Sequence, residues 1–412
     1  DRVDGVAPPA RGHPEGAPEG GLEHPAAHGP TCGEPERRAA ADGAPVEHDP
    51  LRGVPEIVDQ VPVRGQDGAV RALVGGYGFG VSEFNRALDM KRQPGSSFKP
   101  FIYAAALNEG WTPVSDLNDQ AVRHTLAGGE RWEPKNADHR ELGPVRMRKA
   151  LALSRNLATI NLLDAVGIEK ARGFIRRFGF PDEAMPPFLS MALGTGETSL
   201  VKMAEGYAVF ANGGYHVLPY FISRIDEADG QPLYVANPPR ACSDCWYRTS
   251  GGAPARTEGT AATDLATRSI DPRIAYQVTS MMRDVVQRGT GTRAKRLGRS
   301  DIVGKTGTTN DVRDSWFAGF QADLVAVAWM GFDGFEKLGR GEEGGRAALS
   351  MWNEFMETAL KDKPKATLDP PEGMVVVKGE YGNEYVMEEL KDALQGPAPV
   401  AVASAAPMRR SK

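Results

Sequence analysis

Ser96 and Lys99 stand three residues apart in "RQPGSSFKP", where Pro94-Gly95 marks a turn and "FKPFIYAAALNEG" a helix closing at Gly110. Residues three apart share one helical face, so this spacing can set an amine against a hydroxyl. A serine at a helix N-terminus also meets backbone N–H groups and a positive dipole end, which favour negative charge on its oxygen. That is the equipment of a serine nucleophile with lysine as base, provided the lysine pKa is lowered by burial or by a second cation. Lys305, in "GKTGTT", offers such a cation. Ser154-Arg155-Asn156, between two helical patterns, reads as an extended loop whose Ser154 and Asn156 point together into a cleft. One would relay a proton and the other hold a substrate amide. Lys305-Thr306-Gly307 reads as a strand in which Gly307 lets a substrate backbone approach the edge. Thr308 adds a hydroxyl for a substrate carboxylate and an N–H for an oxyanion hole; losing one such donor typically costs ~10²–10³ in rate.

Competing chemistries fare worse. His13, His24, His28 and His48 fall in an N-terminal tail, leaving His124, His139 and His216, and no G-x-S-x-G elbow accompanies them. The "GKT" string is not a phosphate-binding loop, because Arg299 stands where such a loop needs glycine. Ser199-Leu200-Val201-Lys202 repeats S-x-x-K, but it follows "GTGET" and opens a helix, so Ser199 or Thr198 reads as an N-cap and Lys202 as a solvent lysine. Either motif alone is cheap; three in order, each in the local setting its chemistry requires, are specific.

The elements that must position these groups are legible as periodic patterns. A strand at Ala69–Val74 is followed by helices at 100–108, 145–154, 157–166, 168–178 and 200–211. A Pro/Gly/Thr-rich excursion spans 227–272, and "RIAYQVTSMMRDVVQRG" is helical after it. "DIVGKTGTTNDVRDSWFAGFQADLVAVAWMGFD" reads as three strands turning at Asn310-Asp311 and at 321–323, close enough to be antiparallel. "GGRAALSMWNEFMETAL" closes the unit, and "TLDPPEGMVVVKG" holds one small strand. The expected fold is α/β of the α+β type, an antiparallel sheet flanked by helices plus a helix-rich lobe.

Composition bounds the rest. The chain has 412 residues, 41% hydrophobic and 25% charged, which is a globular balance. A formal charge of −5 points away from nucleic acid. No run long enough to span a bilayer and no charged-then-apolar export signal is visible, so no anchor is expected in this chain. Residues 1–55 read as a disordered or non-native N-terminal segment, 60–362 as the catalytic domain, and 363–412 as an extension with a disordered tail. Cys32 lies in the polar tail. Cys242 and Cys245 form a lone C-x-x-C in loop-like flanks, which favours a loop disulfide over zinc.

The strings "FNRALDMKRQPGSSFKPFIYAAAL", "ALALSRNLATINLL", "MALGTGETSLVKMAEGYAVFANGG" and "GKTGTTNDVRDSWFAGF" resemble the transpeptidase domain of class A, bifunctional penicillin-binding proteins. The resemblance covers about 68–225 and 270–362. It implies a D-alanyl-D-alanine transpeptidase at the outer face of the bacterial inner membrane, needing no cofactor. Its partners would be peptidoglycan stem peptides, β-lactam antibiotics and other cell-wall assembly proteins. By resemblance Ser96 is the nucleophile, Lys99 the base, Ser154 the relay and Asn156 a substrate contact. Lys305, Thr306 and Thr308 would clamp the carboxylate, beside Gly307. Members of the class also carry a membrane helix and a glycosyltransferase domain; neither is legible here, so no glycan polymerisation is expected. "EIVDQVPVRGQDGAV" matches the family's first strand poorly. Two alternatives share these residues: a serine β-lactamase, which lacks here an E-x-x-x-N element to activate water, and a truncated scaffold without catalysis.

Overall fold

The architecture comes from a computed structural model that describes residues 58–392 apart from 81, 122–123, 126–130, 243–246, 250–264, 323 and 340. The expectations for residues 1–55, for Cys32 and Cys245 and for the final tail fall outside the described residues. In chain order the elements that matter are β1 (Val58–Arg64), α1 (Lys99–Asn108), α2 (Met147–Ala152), α3 (Asn156–Val166), α4 (Leu200–Ala211) and α5 (Pro272–Arg288). They continue with β2 (Val303–Thr308), β3 (Asp314–Gln321), β4 (Leu324–Gly331), α6 (Ala347–Ala359), β5 (Met374–Gly379) and β6 (Gly382–Met387).

Four strands form one antiparallel sheet in the order β1-β4-β3-β2. Period-two alternation in the last three strands sorts side chains onto two covered faces. Phe317, Ala326 and Ala328 meet Trp352 and Leu349 of α6, with the Phe317 and Trp352 rings 4.8 Å apart and the Trp352 indole N–H donating to Ala326 O at 2.9 Å. Trp316, Val325, Val327 and Trp329 face the larger core built by α1, α4 and α5. Both faces being covered, β3 is buried along its whole length.

Helix α1 is buried all round from Lys99 to Leu107, as its unbroken apolar sequence requires. Phe101 sits at its heart, with the rings of Phe98, Phe178, Phe180, Tyr207 and Phe210 between 4.7 and 5.5 Å away. A lysine on such a helix has no route to bulk water, and this is the origin of the chemistry below.

Three sequence expectations are corrected. The first sheet strand is Val58–Arg64, inside the segment that matched poorly, and it pairs in register from Val58↔Met330 to Arg64↔Leu324. Pro62 is tolerated because β1 is an edge strand. Ala69–Val74 forms only isolated bridges to β1 and to Tyr220. The helix expected over 145–154 splits, since Gly143–Arg146 pairs as a strand with Asp116–Asp119 and leaves only Met147–Ala152 helical. The single C-terminal strand is instead a hairpin, β5 against β6. Cys242 is disulfide-bonded, as the loop reading anticipated. Among the described residues no helix is long and apolar enough to cross a membrane.

Candidate active site

Ser96 lies in a 3-10 turn, Gly95–Phe98, that runs straight into α1. The turn is pressed against β2, and two glycines permit it. A Cβ on Gly95, where φ is +55°, would lie 2.6 Å from Thr308 O. A Cβ on Gly307 would lie 2.3 Å from Pro94 O and 2.9 Å from Ser97 Oγ. The space beside Gly307 is therefore filled by the turn that bears Ser96, not kept for an approaching substrate as the sequence suggested. Ser97 Oγ donates to Pro94 O at 2.6 Å, and the buried Tyr207 hydroxyl donates to Ser97 O at 2.6 Å. The backbone around Ser96 is thus tied on both sides, while Ser96 itself is half-buried and its hydroxyl has no hydrogen-bond partner among the described residues.

Lys99 and Lys305 are both fully buried and converge on Ser154. Lys99 Nζ donates to Ser154 O and Asn156 Oδ1, each at 2.7 Å, and lies 3.4 Å from Ser154 Oγ. Lys305 Nζ donates to Ser154 Oγ at 2.8 Å and to Thr306 O at 3.0 Å, with Thr306 Oγ1 at 3.4 Å. Burial pushes Lys99 well below the usual lysine range; the charges of Lys305 and Arg155 push the same way and Asp119 opposes them. Burial also brings Lys305 down to about 7. Two ammonium groups deprived of water cannot both hold their protons easily. A lysine that gives up its proton more readily, and so is better fitted to accept one from a serine, is the consequence.

Ser154 and Asn156 do not lie on the extended loop expected of them. Ser154 occupies the left-handed region at φ +57°, Arg155 is extended, and Asn156 is the first residue of α3. The kink closes α2, with Ser154 N donating to Leu151 O and Arg155 N to Ala150 O. A left-handed non-glycine residue costs on the order of 1–2 kcal/mol, and the hydrogen bond from Lys99 to the Ser154 carbonyl helps offset it. Arg155 is held by Asp119 and Asp138, each at 2.8 Å, and by the Arg140 carbonyl. Asp119 Oδ1 also accepts from Ala158 N at 3.2 Å, while Asn136 Oδ1 accepts from Asn156 N at 2.7 Å and Leu157 N at 3.2 Å. These remote side chains satisfy the open N–H groups of α3, which has no cap of its own. Asn156 Nδ2 donates to Lys135 O at 2.9 Å. One amide N–H of Asn156 is left for a ligand.

On β2, Thr306 Oγ1 shares a 2.6 Å hydrogen bond with Thr290 Oγ1, and Thr308 Oγ1 accepts from Gly344 N at 3.0 Å. Among the described strands β2 pairs only with β3, so it is the outer strand beside the serine turn. The second S-x-x-K match is structural: Ser199 Oγ caps α4 by accepting from Lys202 N at 3.3 Å. Lys202 is not simply solvated; its amine pairs with Glu205 at 2.8 Å. No cluster of metal-ligating side chains exists among the described residues. Sequence reasoning missed Arg155, Asp119, Asn136, Tyr207 and Thr290. Arg155 carried a signal, the lone charge in residues 150–163; the others lie at separations that no local pattern links to the site.

Comparison with known proteins agrees with this geometry. Residues 63–330 match the family described as the penicillin binding protein transpeptidase domain. Penicillin-binding protein 1A of Pseudomonas aeruginosa is 45% identical over 338 residues, covering 76% of this chain and 41% of that protein. Penicillin-binding protein 1A of Neisseria lactamica is 44% identical over 332 residues, covering 80% and 39% respectively. The chain thus spans about two fifths of the length of these relatives. The crystal structure of penicillin-binding protein 1A from Haemophilus influenzae superposes with a TM-score of 0.74 at 36% identity, covering 81% of this chain and 53% of that one. PonA1 of Mycobacterium tuberculosis in complex with penicillin V shares the fold, with a TM-score of 0.62 at 23% identity over 84% of each chain.

Proposed function

Because the chain belongs to the penicillin-binding protein transpeptidase family, we propose that it is a serine D-alanyl-D-alanine transpeptidase of peptidoglycan synthesis, acting on the periplasmic side of the membrane. The observation that carries this reading is the pair of buried lysines on either side of Ser154 Oγ, beside the turn that bears Ser96. Ser96 Oγ attacks the penultimate D-alanine carbonyl of a stem peptide, and neutral Lys99 takes its proton. The backbone N–H groups of Ser96 and Thr308 receive the developing oxyanion. Lys305, Thr306 and Thr308 hold the terminal carboxylate, and the remaining Asn156 N–H meets a substrate amide. Gly307 serves by letting the serine turn seat on β2. As the intermediate collapses, the proton taken by Lys99 passes through the Ser154 hydroxyl, which accepts it as it gives up its own, to the departing D-alanine amine. The acyl group then moves from Ser96 to the amine of a second stem peptide, making the cross-link; water in its place gives carboxypeptidase activity. The catalytic unit is residues 60–362, with 227–272 as an insertion and 363–412 as an extension.

Penicillins acylate the same serine in this reading. Intact-mass spectrometry after incubation with penicillin tests it on the wild type, Ser96→Ala and Ser199→Ala. One adduct that persists for many minutes, lost only in Ser96→Ala, is the expected result. Rapid turnover of the adduct favours a β-lactamase, and no adduct on folded protein overturns the catalytic assignment.

A further inference from the structure

Beyond the family's matched segment, which ends at residue 330, the β5–β6 hairpin reaches back to the helix that delivers Ser154. We infer that Glu384, on this hairpin, is a positioning residue that sets the placement of Ser154 and of strand β2 for acylation; the inference rests on the transpeptidase reading above. Glu384 is 4% exposed, and its two carboxylate oxygens take the Nε and one terminal N–H of Arg148, which is 6% exposed. This two-point fork fixes orientation as well as distance. Arg148 lies on α2, six residues before Ser154, and α2 has only six residues and no side-chain cap. So short a helix has little register of its own; what it is pinned to decides where its end points.

A second arm runs through α5. Arg148 also donates to Asp284 and to Ser280 O, both at 2.8 Å, and Asp284 pairs with Arg288 at 2.9 Å. The end of α5 lies between the two catalytic motifs. Thr290 N donates to Ala152 O at 3.2 Å, and Thr290 Oγ1 meets Thr306 Oγ1 at 2.6 Å. Gly289 passes so close that a Cβ there would lie 2.0 Å from Ala152 O. From Glu384, then, one path leads along α2 to Ser154, and another leads along α5 to the strand carrying Lys305. The hairpin is seated independently by Lys149–Glu380 at 2.8 Å and by Arg288 over the Tyr381 ring at 4.1 Å. Tyr276 against Tyr385, with ring centroids 5.7 Å apart, adds a third contact. A buried ion pair is a weak device for stability compared with apolar packing. Its worth here is directional, holding outer groups so that the reacting ones stay in register.

Glu384→Gln tests this in the full chain, by rapid-mixing acylation with a fluorescent penicillin at increasing concentration, together with titration of acylatable sites. The expected result is full titration, an unchanged dissociation constant for the non-covalent complex, and a first-order acylation constant lowered roughly 10- to 100-fold, the scale of a misplacement of about 1 Å. An acylation constant per titratable site equal to the wild type overturns the inference, even if the melting temperature or the titratable fraction falls. If Glu384→Gln does not fold, the double variant Arg148→Met, Glu384→Met replaces the whole pair with apolar side chains and decides the matter: slow acylation supports positioning, and wild-type acylation refutes it. No adduct on the folded wild type overturns the transpeptidase reading and this inference together, whereas an acylated wild type with an equally fast Glu384→Gln overturns this inference alone.

Discussion

Replacing Lys305 by glutamine removes one of the two charges flanking Ser154 while leaving an amide able to donate to its hydroxyl. The Lys99 and Lys305 amines lie 3.4 and 2.8 Å from Ser154 Oγ, so they are no more than about 6.2 Å apart, the two lengths laid end to end. Unit charges at that separation repel by about 2.7 kcal/mol at an effective dielectric of about 20. In the wild type the repulsion reinforces burial in holding Lys99 far below its usual range. With Lys99 as the base proposed above, acylation requires its neutral form, and the expected rate climbs with pH through the Lys99 pKa. Removing the Lys305 charge raises that pKa, and the rising limb moves to higher pH. The measurement is the second-order acylation rate with a fluorescent penicillin from pH 5.5 to 10, wild type against Lys305→Gln. Loss of affinity lowers the whole curve; only the charge effect displaces its limb. A limb that stays in place, or moves to lower pH, refutes the coupling between the two lysines.

Asp119→Asn is expected to act in the opposite sense. Asp119 raises the Lys99 pKa, so its neutralisation moves the limb to lower pH, and breaking its buried pair with Arg155 lowers stability by about 3–5 kcal/mol, read as a fall in melting temperature. Gly307→Ala puts a methyl group 2.3 Å from Pro94 O and so forces the serine turn off β2. Acylation is expected to fall at least about 10-fold through this misplacement, and an unimpaired rate shows that the turn can shift without consequence.

Sequence alone carried the chemistry further than the fold. Ser96 and Lys99 share one local turn and one face, so their relation is written in a spacing of three and needs no tertiary information. The β2–β4 strands and helices α1, α3, α4, α5 and α6 followed from periodicity, because each buries a stripe or a face and must repeat apolar residues to do so. The elements that were misplaced are those whose state depends on a distant partner. Val58–Arg64 becomes a strand because β4 offers it an edge, and Gly143–Arg146 because Asp116–Asp119 lies beside it.

The site divides along the same line. That Ser154, Asn156 and Lys305 belong with Ser96 was legible only as three motifs in order. That the two lysines meet at one hydroxyl, and that burial there lowers the pKa of both, was decided by folding. A lysine's pKa is set by the water it has lost and the charges it faces, and neither is a property of its neighbours in sequence. The left-handed Ser154 was likewise invisible in the sequence; Lys99, Asp119 and Asn136 hold Ser154 and its neighbours Arg155 and Asn156 from three separate segments. Gly307 marks the boundary most clearly. Its sequence announced that some backbone must come close, and only the tertiary structure decided that the backbone is the protein's own, at Pro94, because steric room is consumed by whichever chain arrives there first.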